Sequence, residues 1–351
     1  MSKVLIGMSG GVDSSVAALI LKERNYNVTG VTLRLFDSEE TDNSICSAQE
    51  ISKILNINHI VLDFKKEFKE YVLNYFVQEY ESGRTPNPCV MCNKYIKFGF
   101  MLQEALKLNY DYIATGHYAQ IKYDKSNNIW RLKKSGDMKD QSYFLYRLSQ
   151  EQLSRIIFPL ENLNKPEVRE LAKKYNLPVS EKKESQDVCF IKNQNYQDFV
   201  INNSKTRFLP GKFIDKNQDY IGDHKGIINY TVGQRKGLEV ALGQRMYVKN
   251  INNIDNTVTL VEYLDGGCTS VLARDFVSID PNFDYNNKNI KIFAKLRYTR
   301  KIISPCKINF ISDKNSTIEV FFDSPQYFPA PGQSIVFYDS NDYVLGGAII
   351  Q

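Results

Sequence analysis

Three short stretches of this chain carry residue types that do chemistry. The first, Gly7-Met8-Ser9-Gly10-Gly11-Val12-Asp13-Ser14-Ser15, follows the apolar run Val4-Leu5-Ile6 and leads into a helix with Val16, Leu19 and Ile20 on one face. Glycines let backbone approach an anion closely, and the free N–H groups and dipole of a helix start favour negative charge there. The loop lacks the Gly-Lys-Ser/Thr ending whose lysine reaches the outer phosphates of a nucleotide. It sets Asp13 beside hydroxyls instead, a grouping suited to a magnesium-bound pyrophosphate, so it predicts chemistry between the inner phosphates. A plain Ser/Asp helix cap accounts for the hydroxyls but not for the whole strand-loop-helix setting.

The other two stretches supply sulfur. Gly83-Arg84-Thr85-Pro86-Asn87-Pro88-Cys89-Val90-Met91-Cys92-Asn93-Lys94 reads as a proline-stiffened loop entering a helix near Tyr95 to Leu106. A thiol near a helix start, with Arg84 and Lys94 close in sequence, is expected to have a lowered pKa and to be a nucleophile, and Cys92 is the candidate. Cys189 lies in Asp187-Val188-Cys189-Phe190-Ile191, after the polar run Glu184-Ser185-Gln186; by itself it reads equally well as a buried apolar filler. A structural zinc site needs four ligands, and the chain has one Cys-x-x-Cys.

The surrounding elements say how these stretches are held. Strand-like and helix-like patterns alternate from Val4 to Thr115: Val28 to Leu33, a helical stretch around Ala48 to Leu55, His59 to Leu62, an aromatic-rich helix from Phe64 to Tyr80, and Tyr112 to Thr115. Such alternation predicts an α/β domain whose parallel sheet binds ligands at the carboxyl ends of its strands. Ser9 to Ser15 and Gly116-His117-Tyr118 both fall there. From about Gly211 the texture becomes short glycine-punctuated strands (Lys212 to Ile214, Tyr220-Ile221, Gly226 to Tyr230), with Thr231 to Leu238 as a basic insert. The last stretch alternates with period two and predicts a small antiparallel barrel or sandwich. Domain limits are expected at 1–205, 206–268 and 269–351.

Composition narrows the classes. The chain has 351 residues, 42% apolar and 24% charged, which excludes disordered and collagen-like architectures. No run approaches ~18 apolar residues and no leader pattern precedes Val4, so the expected compartment is the cytosol. Six cysteines without a secretory signal point to redox, nucleophilic or metal roles rather than a disulfide scaffold. A net charge of +5 permits a polyanionic partner.

Ser9-Gly10-Gly11-Val12-Asp13-Ser14 resembles the PP-loop of ATP pyrophosphatases, which adenylate a substrate oxygen and release pyrophosphate. Together with Arg84-Thr85-Pro86-Asn87-Pro88, Cys92-Asn93, Ala114-Thr115-Gly116-His117-Tyr118, Lys139-Asp140-Gln141-Ser142-Tyr143-Phe144-Leu145, Cys189-Phe190-Ile191, Thr231 to Leu238 and Leu296-Arg297-Tyr298, the whole chain resembles the tRNA-specific 2-thiouridylase family. The resemblance implies a Rossmann-like PP-loop domain of the adenine nucleotide alpha hydrolase kind, a small β-rich central domain and a C-terminal β-barrel. It implies ATP and Mg2+ as cofactors, with Gly7, Met8, Ser9, Gly10, Gly11, Val12, Asp13 and Ser14 at the triphosphate, Leu33 at adenine and Gly116 closing the pocket. Cys92 matches the family's nucleophile and Cys189 its persulfide carrier. Asn87, Pro88 and Cys89 would flank the target base. His117, Lys139, Asp140, Gln141, Arg297, Tyr298 and Gln333 fall where the family contacts tRNA.

The implied reaction makes the 2-oxo group of the anticodon wobble uridine a leaving group by adenylation. Sulfur then arrives from a cysteine persulfide, giving 2-thiouridine, AMP and pyrophosphate. The implied partners are tRNA and a persulfide donor such as a cysteine desulfurase or a sulfur relay protein. One position departs: the family pattern has Asp where this chain has Cys89, so Cys89, Cys92 and Cys189 would also suit a three-thiolate iron-sulfur site with one open iron. Basic clusters at Lys133, Lys134 and Lys139, at Arg235 and Lys236, and at Lys295, Arg297, Tyr298, Arg300 and Lys301 predict a phosphate track. A different adenylating ligase would need no cysteine pair, and an RNA-binding cluster store would need no ATP turnover. His59, His224 and Trp130 are expected to serve packing.

Overall fold

The computed structural model describes all residues except 137–138, 181–187, 192–194, 241–242, 286, 288–289, 300–302 and 313–315. Glu184, Ser185, Gln186, Arg300 and Lys301 therefore lie outside the described residues.

The N-terminal part is an α/β layer. Strands β1 (Lys3–Gly7), β2 (Asn27–Arg34), β3 (Asn58–Asp63) and β4 (Tyr112–Ala114) form a parallel sheet with the two-residue β7 (Ile156–Ile157), in the order β3-β2-β1-β4-β7. Between β4 and β7 the chain makes a hairpin, β5 (Ala119–Asp124) with β6 (Ile129–Lys134). Val4, Leu5 and Ile6 are fully buried because helices cover both faces of the sheet. The order reverses direction between β1 and β4, which opens a crevice at their carboxyl ends.

Helices extend further than the sequence pattern suggests. The stretch expected around Ala48 to Leu55 runs over Glu39–Ile54, started by the Ser38 side chain accepting from the Thr41 amide. The helix expected from Tyr95 begins at Pro88, whose fixed φ suits a first helical position, and continues without interruption to Lys107. Its Cys92–Phe100 portion is π-helical, a register usually confined to single turns near functional sites.

The central unit pairs β8 (Gly211–Ile214), β9 (Tyr220–His224), β10 (Tyr247–Asn252) and β11 (Thr257–Val261) in the order β10-β11-β8-β9. The strand expected over Gly226 to Tyr230 is instead a 3-10 turn at Ile227–Asn229, because Gly226 takes φ +105° and the Asn229 amide folds back onto the Lys225 and Gly226 carbonyls. The C-terminal strands β12 (Gly267–Ser278), β13 (Ile292–Lys295), β14 (Ser304–Ser312), β15 (Thr317–Tyr327), β16 (Ser334–Tyr338) and β17 (Val344–Ile350) close into a barrel. This barrel is not an appendage. Val336, Tyr338, Val344 and Ile349 share a core with Phe98, Leu132, Tyr143 and Phe158 of the α/β layer. Among the described residues no helix is long and apolar enough to cross a membrane.

Candidate active site

The glycine loop after β1 is shaped by its backbone. Gly10 takes φ +65°, and a Cβ there would lie 2.8 Å from the Ser44 carbonyl, so glycine is required twice over. Gly11 precedes helix Val12–Glu23 without any side-chain cap. The hydroxyls turn inward: Ser14 and Ser15 donate to the Gly11 carbonyl at 3.0 and 2.8 Å, and Ser14 Oγ accepts from the Ser9 amide at 3.2 Å. The helix start is thus left for an anion. Gly116, just beyond β4, packs on the Asp13–Ser14 peptide so closely that a Cβ would meet it at 2.9 Å. Leu33, the penultimate residue of β2, is half-buried on the same edge of the sheet.

Asp13 is engaged. Its Oδ1 accepts from the Tyr118 hydroxyl at 2.7 Å and from Lys165 Nζ at 2.6 Å. Lys165, largely buried, stands at the first position of helix Lys165–Lys174, which Asn164 and Glu167 close with a reciprocal capping box. Sequence reasoning missed Lys165, which lies 152 residues from Asp13. The loop without a Walker-type lysine has a lysine delivered from elsewhere. The only sequence-level signal was the Asn-Lys-Pro-Glu helix start that fixes its direction.

The thiols depart from expectation. Cys92 is buried, not poised at a helix start, and burial pushes its thiol up to about 12. Neither cation assigned to it faces it. Arg84 turns back to make paired 2.8 Å bonds with buried Glu79, and Lys94 lies over the Tyr95 ring. The positive group that Cys89, Cys92 and His117 all feel is Lys97, which opposes the rise in the thiols and adds to the fall in His117. Cys89 reaches solvent but lies recessed, so desolvation raises its pKa as well.

Cys189 comes to the same place from a distant part of the chain. Cys89 and Cys189 both lie close enough to Cys92 to raise its pKa by charge repulsion. The neighbouring Phe190 ring anchors this turn against Phe68, Phe76 and Phe199 at 5.7, 5.2 and 5.1 Å. Even so, no three His, Cys, Asp or Glu side chains among the described residues are grouped to hold a metal ion. As placed, the three thiols do not form a ready ligand set.

The loop before the cysteines is clamped from outside the α/β layer. The Thr85 amide donates to the Pro331 carbonyl at 2.8 Å, and Gln333 Nε2 donates to the Thr85 and Pro86 carbonyls at 2.8 and 3.3 Å. Glu79 Oε1 also accepts from Arg274 of β12 at 2.8 Å. Asn87 immediately precedes helix residue Pro88 and makes no side-chain cap, leaving its amide half-exposed beside Cys89.

Several residues expected at tRNA are occupied within the chain. Asp140 accepts from the Ser135 and Ser142 amides, and Gln141 Oε1 accepts from the Tyr118 amide. His117 Nδ1 lies 2.7 Å from the Thr115 hydroxyl, its ring packed by Phe98 and Phe158. Arg297 donates to the Val232 and Phe328 carbonyls, tying the central unit to the barrel, and Tyr298 stacks near Phe144. Lys295 is buried over the Tyr143 and Tyr298 rings, and desolvation lowers its pKa. It is not a surface phosphate contact, as its place in the basic cluster implied. Lys134 pairs with Asp342 and Lys133 lies over Tyr343, whereas Arg235 and Lys236 face solvent and Lys139 is half-buried. His59 bonds Thr32, His224 bonds the Asn256 carbonyl, and Trp130 packs on Tyr123.

Comparison with known proteins agrees with this layout along the full chain. Residues 2–193 match the tRNA methyl transferase HUP domain, 197–262 the tRNA methyl transferase PRC-barrel domain and 269–350 the aminomethyltransferase beta-barrel domain. The tRNA-specific 2-thiouridylase MnmA 2 of Caldanaerobacter subterraneus subsp. tengcongensis is 43% identical over 369 residues, covering 100% of this chain and 98% of that one. The chain belongs to the tRNA-specific 2-thiouridylase family. The MnmA 2-thiouridylases of Acetivibrio thermocellus and Clostridioides difficile are 44% and 43% identical, each covering 99% of this chain and 99% and 98% of their own.

Proposed function

We propose that this enzyme adenylates the 2-oxo group of the wobble uridine of tRNA and replaces that oxygen with sulfur carried as a persulfide on Cys189. The observation that supports the reading is that Cys189, from a distant part of the chain, lies close enough to Cys92 to act on its pKa. Members of the family are named for tRNA thiolation, and ATP use accords with the PP-loop.

In the first step uridine O2 attacks the α-phosphorus, pyrophosphate leaves with the electron pair of its P–O bond, and the N3 proton passes to water. The terminal sulfur of the Cys189 persulfide then adds to C2, and AMP leaves with the C–O pair. Cys92 attacks the Cys189 sulfur, the S–S bond to the base breaks, and the thiocarbonyl forms as N3 regains a proton. A Cys92–Cys189 disulfide is left, which an external dithiol reduces. Mg2+ would neutralise ATP phosphates, and the Asp13 carboxylate and Ser9 and Ser14 hydroxyls are the hard oxygen donors suited to it. Asn87 and Cys89 would border the splayed base, while Arg235 and Lys236 would meet phosphates. The limits 1–205, 206–268 and 269–351 are our division into catalytic and two tRNA-binding units.

The family descriptions mention methyl transfer, which would need neither a pyrophosphate loop nor a thiol pair. Incubating the protein with tRNA, ATP and a persulfide donor decides between them. Equal amounts of AMP, pyrophosphate and 2-thiouridine are expected by nucleoside mass spectrometry, and Cys189→Ser should yield pyrophosphate without 2-thiouridine. Thiolation retained in that variant would remove the persulfide route.

A further inference from the structure

Lys97 has no role in the reading above, yet its charge acts on Cys89, Cys92 and His117 alike. In an α-helix a residue five positions after Cys92 would point about 140° away from it, given 3.6 residues per turn. The π-helical register of Cys92–Phe100, bonded i to i+5, turns Lys97 back toward the Cys92 side. The neighbouring Phe98 ring lies 5.6 Å from the His117 ring, so this segment presses against the residue that follows Gly116. Gly116 in turn sits on the Asp13–Ser14 peptide. Thiols, Lys97, His117 and the phosphate loop are therefore consecutive neighbours across the crevice.

Lys97 is also half-buried and carries no hydrogen bond or ion pair among the described residues. The other lysine at the crevice, Lys165, is matched by Asp13. An ammonium at the crevice with no partner among the described residues is free to pair with an arriving anion. Cys89, Cys92 and His117 offer it no counter-charge, since desolvation favours the neutral form of each.

We propose that Lys97 is a catalytic residue that contacts the α-phosphate, holding the charge that develops as pyrophosphate departs and again as AMP leaves the uridine C2. It transfers no proton: its ammonium faces a non-bridging α-phosphate oxygen throughout. The proposal rests on the adenylation reading.

The test measures tRNA-dependent pyrophosphate release at saturating ATP and tRNA for the wild type, Lys97→Met and Lys97→Arg. Loss of one such charge-stabilising donor lowers kcat by about 10²–10³-fold. That loss is expected for Lys97→Met with the KM for tRNA unchanged, and Lys97→Arg should recover most of it. Release by Lys97→Met within about threefold of wild type overturns the proposal. Absence of release in the wild type would instead overturn the adenylation reading. A measurement free of variant folding accompanies it: ATP should protect Lys97 of the wild type from amine acylation, read by peptide mass spectrometry. Equal acylation with and without ATP also overturns the proposal.

Discussion

The nucleotide half of the crevice is built from backbone and the thiol half from buried side chains, and the two fail differently. Around the PP-loop, Gly10 and Gly116 let peptide groups approach within distances no side chain permits, and the helix start is left uncapped. Around Cys92 the determinants are burial, a π-helical register and anchors from the barrel. A backbone site is set by local sequence, whereas a side-chain site is set by what the rest of the molecule packs against it.

The contrast breaks most sharply on Cys92 itself. With its thiol pushed up to about 12, against ~8.5 for a free cysteine, its thiolate fraction near pH 8 falls by roughly 10³. Alkylation by iodoacetamide should be at least that much slower than for a model thiol, and should rise tenfold per pH unit through pH 10 without levelling. A plateau near pH 8.5 would show an activated resting thiol and dissolve the contrast. The same raised pKa keeps Cys92 neutral in the fold while the unfolded chain ionises above ~8.5. Its contribution to stability is therefore present below that pH and is lost as pH climbs toward 12.

This is also where the sequence was least legible. The PP-loop and Gly116 could be placed at strand ends from strand-loop-helix order alone, whereas Leu33 was singled out by the family resemblance. The direction of Arg84 could not, since proximity to Cys89 in sequence says nothing of buried Glu79 waiting on the other side. Lys97 was invisible because its side depends on a π-register that a period of 3.6 does not encode. Lys165 and Gln333 act on residues 152 and 248 positions away, beyond any local pattern. The barrel was legible as alternation, but not its shared core with the α/β layer.

The next test separates the halves through the clamp. Glu79 is 6% exposed at its side chain and is held by Arg84 and Arg274, which are 32% and 28% exposed. Removing one member of a fully buried pair costs about 3–5 kcal/mol, and partial solvation of the arginines brings Glu79→Gln to about 2–4 kcal/mol. Denaturant unfolding should show that loss. Under native conditions the variant should bind ATP normally yet thiolate tRNA more slowly, because only the loop before the cysteines loses its anchor. Equal loss of ATP affinity would mean that the clamp supports both halves.

The smallest effect comes from the backbone half, where a single methyl group suffices. In Gly116→Ala the new Cβ would stand 2.9 Å from the Asp13 carbonyl carbon and the Ser14 nitrogen, both backbone atoms that no rotamer change can move aside. Overpacking of this kind costs about 1–3 kcal/mol. Relief requires the helix start to shift, and that start is where we propose the phosphates bind. ATP affinity should therefore fall roughly tenfold or more, at about 1.4 kcal/mol per decade. The alkylation rate of Cys92 should stay as in the wild type, because its burial comes from the helical segment 88–107 and the barrel rather than from the Asp13–Ser14 peptide. Equilibrium dialysis with ATP and timed alkylation on the same preparation read both quantities. A faster Cys92 in Gly116→Ala would show that the glycine turn holds the thiols as well as the phosphates, and that the crevice is one packed unit rather than two.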